Sequence, residues 1–289
     1  MIILNSKAIV AMPEADAMTL DALRQEIDRI DGEIHKLLLA RAEVVTNVAA
    51  AKANASDGSP APAFRAAREA DVLRQLVARH RGPLKLRSLV RIWREIMSGM
   101  TEIQQQIVVA VHVPESADKT GWDIARDHFG LGMRYLPLRS SREVVAAVND
   151  GRAGIGVLSA PDAGSDEGQW WPLLAAVSEE MPKIVMKLPF LISKESLTTN
   201  SKVAICMPGP EPEILDVAYV VIETVPGISR EKVASTLRAA GIEPKVLHSD
   251  PKTSFYLGEI ETTSTDAVDR RVIKNIVSIG GYPTQIVTE

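Results

Sequence analysis

From Leu20 onward the apolar positions Leu23, Ile27, Ile30, Ile34, Leu37, Val44 and Val48 recur at steps of three and four, interrupted at Arg41. That period is the seam of a long helix that packs against other long helices. Residues 20–53 hold no proline and one glycine, Gly32, so a helix of roughly 34 residues and 50 Å is expected. A loop rich in Ser, Gly, Pro and Ala follows over 54–62. A second helix is expected over about 65–79, and Gly82-Pro83 then breaks the chain. A third helix is expected over about 84–106, with Leu86, Leu89, Val90, Trp93, Ile96, Met97 and Ile103 as its buried side. The first 106 residues therefore read as all-helical.

At Ile107 the period changes to that of strands. Residues 107–111, 133–138 and 154–158 read as short strands, with helices over 122–128 and 141–149 between them. This β-then-α order predicts a small α/β domain with a parallel or mixed sheet reaching to about residue 200. Pro208-Gly209-Pro210 and Pro212 read as a linker. Beyond it we expect a strand over 218–225, a turn at Pro226-Gly227 and a helix over 229–240 with Ser229 as N-cap and Gly241 as its stop. An antiparallel pair over 245–248 and 254–262, a second helix over 265–279 and a final strand over 284–287 complete a β-α-β-β-α-β order, the ferredoxin-like plan. The expected domains are a flexible leader at 1–19, helices at 20–106, α/β at 107–200, and a linker with the ferredoxin-like unit at 201–289.

Composition narrows the classes. The 289 residues carry a net charge of −4, with no block of like charges, which argues against non-specific nucleic-acid or membrane-surface binding. No apolar stretch reaches the roughly 18 residues of a membrane helix, so a soluble protein is expected. The single cysteine, Cys206, excludes an intrachain disulfide, fits a reducing, cytoplasmic compartment, and reads as a small buried apolar residue. The five histidines are scattered, so no metal site is expected. Gly151, Gly154 and Gly156 only loosely imitate a dinucleotide loop, because Ser159 stands where its last glycine belongs.

Candidate chemistry concentrates in the helices: Arg24, Arg41 and Lys52 on the first, Arg65, Arg68 and Glu69 on the second, and Gln104 near the end of the third. Arg41 and Lys52 are about 20° out of phase and roughly 16 Å apart along a helix, close enough to reach inward to one ligand. Arg24 lies roughly 25 Å from Arg41, too far to share a small molecule with it on one straight helix. A cation on an apolar seam is poorly tolerated unless an anion meets it.

The ordered set Leu23-Arg24-Gln25-Glu26-Ile27-Asp28, Leu37-Leu38-Leu39-Ala40-Arg41, Val48-Ala49-Ala50-Ala51-Lys52, Arg68-Glu69 and Gln104 resembles the all-helical class of chorismate mutase over residues 20–106. The resemblance implies an intertwined homodimer with shared active sites and a pericyclic conversion of chorismate to prephenate that needs no nucleophile, metal or cofactor. It places Arg41, Arg68 and the partner chain's Arg24 on the two carboxylates. It also implies that Lys52 and Gln104 donate to the ether oxygen and that Glu69 accepts from the ring hydroxyl. Two departures stand out: Arg65 replaces a common acidic residue beside the ring hydroxyl, and Met100 replaces a small hydroxyl residue.

Further along, Gly121-Trp122-Asp123-Ile124-Ala125 and the run 142–157 are similar to the first lobe of prephenate dehydratase. The expected two-lobed length and a Thr-Arg-Phe motif are missing, and the nearest phrase, Leu188-Pro189-Phe190, bears no hydroxyl. A degenerate, non-catalytic domain is therefore expected. The tail resembles an ACT-type domain, which implies a possible amino-acid effector at Pro226-Gly227-Ile228-Ser229 and at His248-Ser249-Asp250-Pro251, where the family's Glu and Arg are replaced. The alternatives are a bifunctional mutase and dehydratase, distinguished by a hydroxyl-bearing residue in a cleft, and a ligand-sensing dimer without turnover.

Overall fold

The computed structural model describes residues 19–55, 64–115, 120–161, 169–175, 181–193, 201–209, 215–249, 254–261 and 267–288. The expected leader, apart from Thr19, lies outside these residues. The chain divides into two units, 1–54 and 55–289.

The first unit is the helix α1 (Leu20–Ala55). Thr19 Oγ1 accepts from the Ala22 amide, and Arg29 clamps Glu26 at 2.6 Å along the exposed face. The expected seam is present, and its side chains face outward: Leu23, Ile27, Ile30, Ile34, Leu37, Val44 and Val48 are 42–70% exposed.

In the second unit α2 (Ala66–Arg79) and α3 (Leu86–Gln104) pack through Ala70, Leu73, Val90 and Met97, with Phe190. Much of the expected buried side of α3 is only partly covered, and Ile103 is 47% exposed; Arg94, Ser98 and Thr101 are buried instead. The helix turns its polar stripe toward the α/β domain. Ser98 Oγ donates to the Phe129 carbonyl at 2.5 Å, and Glu95 accepts from the Leu131 amide.

The strands β1 (Val108–His112), β2 (Arg134–Leu138) and β3 (Ile155–Ser159) alternate with α4 (Thr120–Phe129) and α5 (Ser141–Asn149) and pair in parallel, as expected. Alternate residues of β1 feed opposite layers: Ala110 packs with α5, and Val109 and Val111 pack with α4. Ser140 and Glu143 close a reciprocal cap at the start of α5. Gly156 is a packing residue: a Cβ there would meet Val144, Val148 and Ile205 below 3.0 Å.

Four expectations need correction. The strand β6 (Lys202–Cys206), expected as part of a linker region, inserts antiparallel between β3 and β4 (Lys183–Leu188), so the first sheet extends past residue 200. Cys206 at its end is half-buried rather than enclosed. In the tail, β7 (Val217–Thr224), α6 (Arg230–Ala239), β8 (Val246–Ser249) and β9 (Phe255–Ile260) follow the expected order. The second helix does not form, because Ile273–Tyr282 is the strand β10. Its run of β-branched residues favours a pleated, half-buried surface over a helix. The last strand, β11 (Ile286–Thr288), pairs in parallel with β5 (Leu191–Ser193) rather than with the tail's own strands.

Nine of the eleven described strands form one sheet in the order β2-β1-β3-β6-β4-β10-β7-β9-β8, and β5 and β11 form a separate pair. The larger sheet is continuous through the contact of β4 with β10, where Gly280 lies opposite Ile184. Gly280 has φ +108°, and a Cβ there would fall on the Ile184 backbone. Both constraints admit glycine alone. Gly280→Ala is therefore expected to lower stability by about 3 kcal/mol or more, read as a lower urea midpoint; an unchanged midpoint would show that this contact does not hold the sheet together.

Candidate functional site

The first unit carries three of the candidate cations. Arg24 is exposed and pairs with Asp21 at 3.1 Å. Arg41 is half-buried, its Nη1 is enclosed without a hydrogen-bond partner, and burial lowers its pKa. Lys52 is half-buried in the last turn of α1. The helix thus presents cations at its start, middle and end along an outward-facing apolar seam.

The second unit carries the rest. Arg65 and Arg68 are exposed, with Arg65 as the uncapped residue before α2. Glu69 is half-buried, and its Oε2 accepts from Arg94 Nη1 at 3.0 Å. Gln104 ends α3, and its amide makes only a long 3.5 Å contact with the Met100 carbonyl. Among the described residues, the structure joins Glu69 to a residue that sequence reasoning passed over. Arg94 is 4% exposed, and its guanidinium lies over the Phe190 ring at 5.5 Å. Burial pushes its pKa down to about 10, against the opposing pull of Glu69 and Asp127. An arginine on an apolar helical stripe was the available signal, as at Arg41; its flanks of Trp93 and Ile96 hid it within an expected core face.

His128 is the second such residue. It is buried against Phe129 with ring centroids 4.6 Å apart, and its Nε2 has no hydrogen-bond partner. Burial, with Arg94 nearby, holds its pKa well below the usual imidazole value.

In the α/β part, Lys202 Nζ donates to Ser159 Oγ at 3.1 Å, and both residues are buried. They stand at the carboxyl end of β3, where Lys202 also lies against Gly121 in the first turn of α4. Neither residue was singled out for this role from the sequence, because β6 was not expected to return to this sheet. Leu188 and Phe190 are core residues, and Pro189 offers only its carbonyl, to Gln285. At the expected effector turn, Ser229 is committed to capping α6 through the Lys232 amide, and the Ile228 carbonyl accepts from Tyr256. His248 and Ser249 lie in β8, whereas Asp250 and Pro251 fall outside the described residues.

Residues 23–105 match the family described as chorismate mutase type II. The matching segment spans α1 to α3 and is followed by α/β structure. The bifunctional chorismate mutase/prephenate dehydratase of Pseudomonas aeruginosa is 34% identical over 155 residues, covering 53% of this chain and 41% of that protein. The protein of the same description from Aquifex aeolicus is 31% identical over 143 residues, covering 48% and 38%. The chain spans about two fifths of the length of the curated relatives it matches. The solved prephenate dehydratase of Streptococcus mutans aligns over 63% of this chain and 100% of its own, with a TM-score of 0.44 and 16% identity. No helix among the described residues is long and apolar enough to cross a membrane.

The buried imidazole sets a pH dependence. His128 is neutral when folded, whereas the unfolded chain protonates it near pH 6.5. Unfolding therefore takes up a proton below that value, and the folded state loses stability as the pH falls. Between pH 7 and 5 the native protein is expected to lose about 2 kcal/mol more than a His128→Phe variant, by urea titration. Parallel curves for the two proteins would contradict a neutral buried His128.

Proposed function

We propose that the protein is a chorismate mutase, rearranging chorismate to prephenate in phenylalanine and tyrosine biosynthesis, and acting as a cytoplasmic homodimer with shared active sites. The observation that carries this is α1 itself: an outward-facing apolar seam with a half-buried, unpartnered guanidinium at Arg41, within the segment that matches chorismate mutase type II. An apolar seam of this length is stable only when covered, and a second copy of the same helix covers it with matching spacing.

The reaction needs a dianion held in a folded, near-attack shape and donors aimed at the ether oxygen, where negative charge grows. Arg41 and Arg68, with Arg24 of the partner chain, grip the carboxylates through planar guanidinium forks. Lys52 and Gln104 donate to the ether oxygen. Glu69 accepts from the ring hydroxyl, and its bond to Arg94 fixes the carboxylate that does so. Arg65, at the start of α2, adds positive charge on the substrate side in place of an acid. The ACT-like tail supplies a possible amino-acid site at the turn before α6, and the dehydratase-like domain is non-catalytic.

A second reading, a mutase that also dehydrates prephenate, is favoured by the buried Ser159–Lys202 pair, a hydroxyl and a cation at the carboxyl edge of the sheet. One set of incubations separates the readings. Chorismate is expected to disappear with the wild type, and Lys52→Ala is expected to slow this by about 10²- to 10³-fold. Equal rates would refute the assigned site. Supplied prephenate is expected to persist; phenylpyruvate formation that Ser159→Ala abolishes would establish the second reading.

A further inference from the structure

Between α3, α4 and the strand β5 lies a cavity of about 930 Å³ whose wall includes Arg94, His128, Phe190, Val90 and Leu131. Every lining residue belongs to the second unit. Its volume falls in the range of small-molecule sites.

Two features mark it as a ligand site rather than a packing defect. Arg94 Nη2 and His128 Nε2 are both buried and both lack a hydrogen-bond partner, although Arg94 Nη1 is satisfied by Glu69. Two orphaned polar atoms in adjoining buried side chains carry a desolvation cost that a bound acceptor would offset. The surrounding carboxylates do not fill that role. Asp127 is taken by Arg91 at 3.0 Å, and Glu95 accepts from the Leu131 amide at 3.1 Å. Phe190 under the Arg94 guanidinium, with Val90 and Leu131, forms an apolar part of the wall, and Arg87, Asp123 and Arg126 line it as well.

We propose that this cavity binds a small monocarboxylate with a compact apolar body, its carboxylate accepting from Arg94 Nη2 and from His128 with the ring proton on Nε2. The apolar body rests on Phe190, Val90 and Leu131. Because Arg94 holds Glu69 with its other amino group, the ligand shares a guanidinium with the mutase helices but occupies a separate site.

The test is calorimetric titration of the full chain with phenylacetate and 4-methylpentanoate, using 2-phenylethanol as the uncharged control. At least one acid is expected to bind saturably with a dissociation constant of about 1 mM or tighter, and the alcohol about tenfold more weakly or worse. Arg94→Gln and His128→Phe are each expected to weaken the acid by about tenfold or more. Arg41→Ala is expected to leave it unchanged. Should Arg94→Gln fail to fold, His128→Phe alone decides. Absence of saturable binding to the wild type overturns the proposal, as does unaltered binding in a folded variant of the cavity. Loss of binding in Arg41→Ala alone would place the acid on α1 instead, overturning the cavity site while leaving the mutase reading intact.

Discussion

The structure turns on a hydrophobic constraint in α1. Fully burying a Leu, Ile or Val side chain is worth about 1.5–3 kcal/mol, and here seven such residues along one seam face outward. A helix of 36 residues with that pattern reaches its stable state only against another apolar surface of equal length. In the proposed homodimer a second copy of α1 supplies one, and the same pairing answers the distance problem posed by the cations. Arg24 lies too far along the helix to serve the ligand that the proposed mechanism places on Arg41 of its own chain. On the proposed reading, covering the seam and completing the anion site are one event.

The second unit contributes through its own constraint, the burial of Arg94. A guanidinium taken from water is costly unless paired, and the Glu69 carboxylate supplies the pairing at 3.0 Å. Such a pair adds little net stability, but it fixes orientation. The glutamate that the proposed mechanism needs as an acceptor is presented in one geometry by a residue on the neighbouring helix. Arg94 is also the point where α2 and α3 meet α4 and Phe190. The α/β part, even without chemistry of its own, therefore forms part of the scaffold behind Glu69.

Much of this was legible in the sequence. The helical ranges came from unbroken three-and-four periodicity and proline breaks, and the first strands from β-branched runs bounded by helix patterns. The failures share a cause. The run 265–279 has apolar spacing compatible with either period, and pairing with β7 decided for a strand. The strand at 202–206 was hidden because insertion between β3 and β4 is a long-range event with no local mark. That same omission hid the approach of Lys202 to Ser159. Arg94 and His128 were missed because a buried polar residue inside an apolar stripe is recognised only once its partner, or lack of one, is visible. Arg41 was conspicuous because the seam around it is regular, and the structure shows its Nη1 enclosed without a hydrogen-bond partner.

The central claim, that one active site is built from two chains, is tested most directly by mixing two inactive variants. Arg24→Ala and Lys52→Ala, each nearly inactive alone, are unfolded together, refolded and assayed for chorismate loss. Subunit exchange would leave half the dimers mixed, each with one intact site, so activity is expected to recover to about a quarter of the wild-type value. No recovery from a mixture shown to contain mixed dimers would contradict the account.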